Sequence, residues 1–458
     1  MKNKKLLVLT LIGIFFLTSG LGCKTDSAAA SFKPVTLEYW GVFENPDDIA
    51  LLTGPYTARH PKVTINYRKF REDEYKQKLL EAWALGNGPD LFMVPNTSVH
   101  EYLKFMEPMP ATMVAPVQYV TGTLKKEIVT KLQTYNGLTP KQVADTFLDV
   151  VAGDVVVNNR VYALPYSVDT LSVFYNKALL KSNNIPLPAK DWNELIQQAG
   201  IISKVDAKDH LVQSAIAMGT TNNISAAFDI LSAIMMQIKI PMSDSSGPVF
   251  QSNTDTLNAL QFYLSFARTG LQNYSWSKDL PDALDAFTAG KLAYFIGYPY
   301  QAQIIRDTNP RLDWDITPLF TPENVETPPT YANYWVTAVA KPRGATDAKT
   351  DPEVAWQYLL ESTQAQNVKP FLDNASTPRT TALRSLVTEE TKDAIRAPFA
   401  KNLLQATSWY QGYNYTLAKR YFLEMIDNVD QAYKNGVDPQ SFMNAGASLI
   451  AQTYQQQQ

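Results

Sequence analysis

Bond-breaking chemistry needs nucleophiles, acids and bases at workable spacing, and this chain of 458 residues offers few of them. It has one cysteine, Cys23, and three histidines, His60, His100 and His210, far apart in sequence. No G-x-S-x-G elbow, G-x-x-x-x-G-K-[ST] loop, G-x-G-x-x-G fingerprint or H-E-x-x-H helix occurs. His60 precedes Pro61 in a turn and His100 follows an apolar strand, so both are read as packing or surface residues. Asp282 and Asp285 share one helix face in solvent. A glycan-processing enzyme would need two carboxylates facing each other across a cleft at roughly 5–9.5 Å, a distant alternative that spacing along the chain does not address. With one thiol there is no disulfide and no zinc–cysteine site, and no metal or cofactor is expected.

What the chain has in quantity is aromatic rings, 11% of its residues, more than a core alone demands. Several fall with carboxylates and amides in segments where predicted strands end. In open α/β sheets ligands sit beyond the C-terminal ends of strands. Those loops are Trp40–Glu44, Pro95–Ser98, Tyr166–Thr170, Gly297–Gln301 and Tyr331–Trp335. The candidate ligand contacts are Trp40, Glu44, Asn96, Tyr166, Asp169, Tyr298, Tyr300, Asn333 and Trp335, with Trp409 as a late aromatic wall or, equally, as helix packing. Rings stack on the C–H faces of a pyranose, while carboxylates and amides meet its hydroxyls. An anion would call for backbone N–H nests or arginine, and an amino acid for arginine near its carboxylate. A carbohydrate therefore fits best. A polyamine, polyol or peptide stays open, the polyamine with Glu44 and Asp169 facing its amines. Tyr39, Trp83, Trp192 and Trp356 are read as core, and Asp90 as a turn residue.

The elements that must position these residues follow from periodicity. Val35, Leu37 and Tyr39 alternate as a strand, as do Val63, Ile65 and Tyr67. Helices are predicted over about 47–59 and 72–85, the second closed by Gly86 and Gly88-Pro89. Leu91–Val94 is a short apolar run, the mark of a strand buried on both faces. This β-α-β-α-β order predicts right-handed crossovers and a largely parallel sheet. Further strands are expected at 155–157, 161–164, 171–175, 291–296 and 335–340. A helix-rich region spans about 191–288, a helix runs over 352–363, and the chain from Glu389 reads as helical throughout. Strands of one sheet thus flank an inserted helical domain, and the length exceeds what one core serves. Two α/β lobes are expected, with the chain crossing between them more than once.

At the N-terminus, Lys2, Lys4 and Lys5 precede an apolar run from Leu6 to Leu17, the pattern of an export signal and too short to span a bilayer. Thr18–Cys23 resembles a bacterial lipobox, with Gly20 in the usual leucine place, so Cys23 is expected to be lipidated. Removing residues 1–22 takes three lysines and no acid, moving the formal charge from −3 to −6. That argues against a nucleic-acid surface. Lys24–Ser31 reads as a flexible tether.

Five ordered segments resemble the family 1 extracellular solute-binding proteins of ABC importers, the group with maltose- and oligosaccharide-binding lipoproteins. They are Tyr39-Trp40-Gly41; His60-Pro61-Lys62-Val63 with Gly88-Pro89-Asp90-Leu91-Phe92; Asn159 to Tyr166 with Asp169-Thr170 and Phe174-Tyr175-Asn176-Lys177; Ala286 to Ala293 with Gly297-Tyr298-Pro299; and Val339-Ala340-Lys341-Pro342 with the helix holding Ala355-Trp356 and with Pro378-Arg379. The stretch 109–146 is longer than the family usually has. The resemblance implies a two-lobed, type II periplasmic-binding-protein-like α/β fold with the ligand cleft between lobes. Residues 1–22 would be the signal and 23–33 the tether. Residues 34–166 with about 333–377 would form one lobe, and 167–332 with 378–458 the other. It further implies a monomeric, non-enzymatic receptor, exported and lipid-anchored to the membrane, facing the periplasm or cell exterior. Its partners would be a small-molecule solute and an ABC permease with ATPase subunits.

Overall fold

A computed structural model describes residues 33–123, 126–342 and 351–455. The export signal, Cys23 and the tether through Ser31 lie outside the described residues. Two apolar cores divide the described chain. In the first, strand β1 (Val35–Gly41) leads to helix α1 (Pro46–Arg59), strand β2 (Val63–Lys69), helix α2 (Glu72–Ala84) and strand β3 (Leu91–Pro95). The four-residue spacing of Tyr75, Leu79 and Trp83 gives α2 one buried stripe, and three acids in its first turn suit the positive end of the helix dipole. Next come a hairpin, β4 (Thr112–Thr121) and β5 (Glu127–Asn136), and the short strand β6 (Ala163–Leu164).

After the crossing strand β7 (Asp169–Thr170), the second lobe is built from β8 (Ser172–Asn176), β9 (Leu211–Ile216), α3 (Ala227–Gln237), β10 (Leu292–Gly297), α4 (Gln301–Thr308) and β11 (Trp314–Pro318). The chain returns through β12 (Thr330–Asn333) to β13 (Trp335–Val339), then α5 (Pro352–Ser362) and α6 (Ala365–Asn374). Strand β14 (Ala406–Thr407) precedes a closing helix pair, α7 (Tyr415–Asn435) and α8 (Pro439–Gln452).

The first sheet has the order β2-β1-β3-β13-β6. Its β1–β2 and β1–β3 pairs are parallel, but β13 runs antiparallel to both β3 and β6. The expected parallel sheet is therefore confined to the β-α-β-α-β opening, because β13 returns from the other lobe and enters from the opposite end. In the second sheet β9 and β10 are parallel, while β8 pairs antiparallel with both β10 and β11. A third ribbon, β14-β12-β7, lies where the chain passes between lobes. Core membership changes at the same places: Val168 and Ala332 belong to the first core, Leu171 and Tyr331 to the second.

Two expectations change. Ala382, Leu383, Val387 and Leu403 pack in the first core, so the last crossing comes after the expected position at 377/378. The chain beyond Glu390 is not helical throughout: it is largely irregular up to Tyr415, and Ala406–Thr407 pairs with β12 to complete the crossing ribbon. The long 109–146 stretch is the β4–β5 hairpin with a short helix, Pro140–Thr146. His60 is buried beneath that hairpin, with Nδ1 3.0 Å from the Pro116 carbonyl and Nε2 3.2 Å from Glu361. Imidazole here serves packing.

Gly88 shows how tightly the loop before β3 is laid on α2. A Cβ there would sit 2.0 Å from Cδ1 of Trp83, whose ring is stacked on Phe105 at 4.4 Å. The indole has little room to yield. Gly88→Ala is expected to cost about 1–3 kcal/mol in urea denaturation; unchanged stability would contradict this packing.

Candidate functional site

The C-terminal ends of β1 and β3 point toward the crossing ribbon, and the second lobe's β10 ends opposite them. Between lies a cavity of about 280 Å³, near the lower end of the ~300–1,000 Å³ typical of small-molecule sites. Its lining draws on both lobes: Phe43, Glu44, Glu72 and Met93 from the first, Ser225, Asp229, Tyr298, Tyr300, Tyr415 and Lys419 from the second. Asp169, Asn333, Trp335 and Arg379 come from the crossing segments and the strands they feed.

Each lobe presents rings. On the first, Phe43 meets Trp335 edge-on, with centroids 5.3 Å apart and planes at 77°. On the second, Tyr298 and Tyr300 lie nearly parallel, 10° apart at 6.3 Å. The Tyr298 hydroxyl donates to Asp229 Oδ2 at 2.9 Å, and Asn333 Nδ2 approaches the same oxygen at 3.4 Å. Burial pushes the Asp229 carboxyl above its ordinary pKa, partly offset by Lys419 and these hydrogen bonds.

Arg379 sits at the join. Its guanidinium lies 3.3 Å from Glu44 Oε1 and 3.7 Å from Asp169 Oδ2, and all three side chains are under a tenth exposed. Asp169 Oδ1 also accepts the Thr380 backbone N–H at 3.2 Å. Burial raises the Asp169 carboxyl and Arg379 pulls it back, leaving it at about 6. Burial opposes the charge on Arg379, and Glu44 and Asp169 outweigh it, holding its pKa above the usual value.

Seven of the ten sequence candidates line this cavity: Glu44, Tyr166, Asp169, Tyr298, Tyr300, Asn333 and Trp335. Tyr166 contributes its ring alone, because its hydroxyl is engaged by Ser362 and Tyr358 at 3.1 and 3.3 Å. The other three face elsewhere. Trp40 packs on Phe70 at 4.5 Å, with the Arg68 guanidinium 5.7 Å from its ring. Asn96 is spent on structure: Nδ2 donates to Asp154 at 2.8 Å and Oδ1 accepts the Tyr334 N–H at 3.3 Å. Trp409 is second-lobe core, stacked on Phe228 at 5.3 Å, with its indole N–H donating to Ser232 Oγ at 2.8 Å.

Sequence reasoning missed Phe43, Glu72, Asp229, Arg379, Tyr415 and Lys419. Phe43 lies inside the Trp40–Glu44 loop and Arg379 inside the Pro378-Arg379 segment. Asp229 had a fainter signal, a lone carboxylate in Ala-Phe-Asp-Ile-Leu, while Lys419 reads as an ordinary helix position. The arginine that the sequence argument reserved for anionic ligands is thus present, but two carboxylates already occupy it.

A family profile described as bacterial extracellular solute-binding protein matches residues 44–366. The maltodextrin-binding protein MdxE of Bacillus subtilis (strain 168) is 23% identical over 257 residues, 55% of this chain and 58% of that protein. The chain thus spans somewhat over half the length of the curated relatives it matches. Among solved structures, a cyclic alpha-maltosyl-1,6-maltose binding protein from Arthrobacter globiformis superposes with a TM-score of 0.71 at 15% identity, covering 92% of this chain and 99% of that one. The sugar-binding protein MalE of Xanthomonas citri gives 0.66 at 17% identity, covering 92% and 97%. These likenesses establish the two-lobed fold.

The Arg379 cluster makes a pH-dependent prediction. Asp169 holds a proton in the fold between its ordinary pKa of 3.8 and about 6, so its contribution to stability falls as pH rises through that window. Arg379→Met leaves Glu44 and Asp169 buried without their cation and should cost about 3–5 kcal/mol at pH 8. The loss should shrink at pH 5, where Asp169 is protonated. Urea denaturation at the two pH values checks this; equal losses would contradict it.

Proposed function

The chain belongs to the bacterial extracellular solute-binding protein family of ABC importers, and from that premise we propose that it captures a carbohydrate of oligosaccharide class between its lobes and hands it to an import permease. The observation that carries this reading is the pairing of ring surfaces on both lobes, Phe43 with Trp335 against Tyr298 with Tyr300, around a polar centre. Aromatic faces offer C–H stacking to a pyranose and carboxylates take its hydroxyls. A solute touching both walls gains contacts only in the closed arrangement, and that difference in affinity shifts the equilibrium toward closure. The closed outer surface is then what the permease recognises. Arg379 supports this ligand class over an anionic one, since its charge is already matched by Glu44 and Asp169.

The membrane side of the reading rests on the N-terminal sequence. Cleavage before Cys23 and lipidation of its thiol would hold the receptor on the outer face of the membrane, with the 24–31 segment as a leash of up to about 3.5 Å per residue. Cys23→Ser is expected to move the protein from the membrane fraction to the soluble exported fraction. Retention in the membrane would remove the anchor from the account.

The direct test is a thermal-shift screen of the purified protein against mono- and oligosaccharides, polyols, amino acids, short peptides and polyamines. Ligand at a hundred times its Kd adds about 2.7 kcal/mol of stability, visible as a rise of a few degrees. A shift confined to one glycan class supports the proposal; a shift with amines or peptides alone overturns its ligand. For the glycan found, Trp335→Ala should weaken binding by more than about 1 kcal/mol in calorimetry, as loss of a stacked ring does. Unchanged affinity would take Trp335 out of the site.

A further inference from the structure

The cleft's hydrogen-bonding capacity is unevenly spent. On the first-lobe side Glu44 Oε1 and Asp169 converge on Arg379 and Asp169 also takes a backbone N–H, while Glu44 Oε2 is buried without a hydrogen-bond partner. On the second-lobe side a carboxylate and a cation line the cavity without an ion pair between them. Asp229 uses only Oδ2, toward Tyr298 and Asn333; its Oδ1 is buried and has no hydrogen-bond partner. Asp229 is 2% exposed, and it lines the cavity. Lys419, one turn into α7, lines the same cavity. Its ammonium makes no ion pair within 4.0 Å and no hydrogen bond among the described residues. Tyr415, Asp229, Glu72 and Tyr300 act on it through space, and the Phe228 ring lies 5.9 Å away. An unpaired donor and an unpaired acceptor thus stand on one wall, close enough to feel each other and too far apart to satisfy each other. Leaving a buried polar group unmatched is costly, so such a pair is poised for an outside partner.

We propose that Asp229 and Lys419 form a donor–acceptor gate that selects uncharged glycans, Asp229 Oδ1 accepting one hydroxyl proton and Lys419 Nζ donating to a neighbouring hydroxyl oxygen. The inference rests on the carbohydrate reading and narrows it. A sugar hydroxyl both donates and accepts, so two adjacent ones bridge the gap with every group matched. An acidic sugar does not fit: the lining holds Glu44, Glu72, Asp169 and Asp229, and of its two cations Arg379 is already engaged. An amino sugar reaching Asp229 would bring its ammonium beside Lys419, a like-charge contact that counts against it. Both residues come from second-lobe helices and neither lies in the loops after strands, which is why the polar anchor was invisible to a loop-based reading.

The experiment measures binding of the purified protein to three glycan sets by calorimetry: neutral malto-, cello-, manno- and xylo-oligosaccharides, cationic glucosamine oligomers, and anionic oligogalacturonates. Neutral glycans alone are expected to bind. Asp229→Asn keeps an oxygen for Tyr298 and Asn333 but turns an N–H toward the ligand; Lys419→Met keeps the stem and removes the donor. Each should weaken the neutral glycan about tenfold or more, with melting temperatures confirming the fold, while Lys419→Arg restores much of the affinity. A charged glycan binding as tightly as the neutral ones, or both variants retaining affinity within about twofold, overturns the gate and leaves the carbohydrate reading standing. If none of the three sets binds, the carbohydrate reading fails, and the gate with it.

Discussion

A guanidinium buried between two carboxylates is the interaction on which the two-lobed arrangement depends. Arg379, Glu44 and Asp169 come from segments far apart in sequence, a loop after β1, a crossing strand and a late return loop, and they meet where the chain changes lobes. Desolvating three charged groups costs several kcal/mol each, so the cluster holds together only when all three are present and well placed. That makes it a poor source of net stability and a good determinant of geometry. A chain that places Glu44 wrongly leaves a charge stranded, and the strand ends that carry Phe43 and Trp335 are fixed with it.

A second buried knot supports the same region. Asp154 accepts from Asn96 Nδ2 at 2.8 Å, the Tyr334 hydroxyl at 2.7 Å and Ser408 Oγ at 2.6 Å, joining the end of β3, the β12–β13 junction and the last crossing. Burial raises the Asp154 carboxyl pKa while Ser408, Tyr334 and Asn96 pull it down. The two knots lie on the connections rather than within either sheet, so each lobe keeps its own apolar core and the polar specification is concentrated between them. Ring-lined walls then face each other across a floor set by hydrogen bonds. Rigid lobes joined by a few defined crossings are what a clamp requires.

The fold was legible in the sequence because its opening is locally consistent: alternating Val35, Leu37 and Tyr39, a helix stopped at Gly86, and an apolar Leu91–Val94 run each point the same way. The antiparallel entry of β13 was not, since strand direction depends on where the chain has been in the other lobe. The irregular stretch before Tyr415 also escaped, because its pairing partner β12 lies about 75 residues upstream and periodicity is a local signal. Of the sequence candidates that line the cavity, Glu44, Tyr298 and Tyr300 follow β1 and β10, whereas Asp169, Asn333 and Trp335 lie on the crossing strands β7 and β12 and at the start of β13. Trp40, near the end of β1, does not line the cavity, as its ring is claimed by Phe70 and Arg68. Asp229 and Lys419 lie on helices, where a polar residue ordinarily means solvent. Only the packing of α3 and α7 against the cleft turns them inward.

The central claim is that a glycan closes the cleft by touching both walls. Small-angle X-ray scattering of the purified protein, alone and with a saturating glycan from the thermal-shift screen, tests it most directly. The account predicts a smaller radius of gyration with ligand, and no such change with a sugar that gives no thermal shift. A bound protein whose scattering matches the free one would contradict capture by closure.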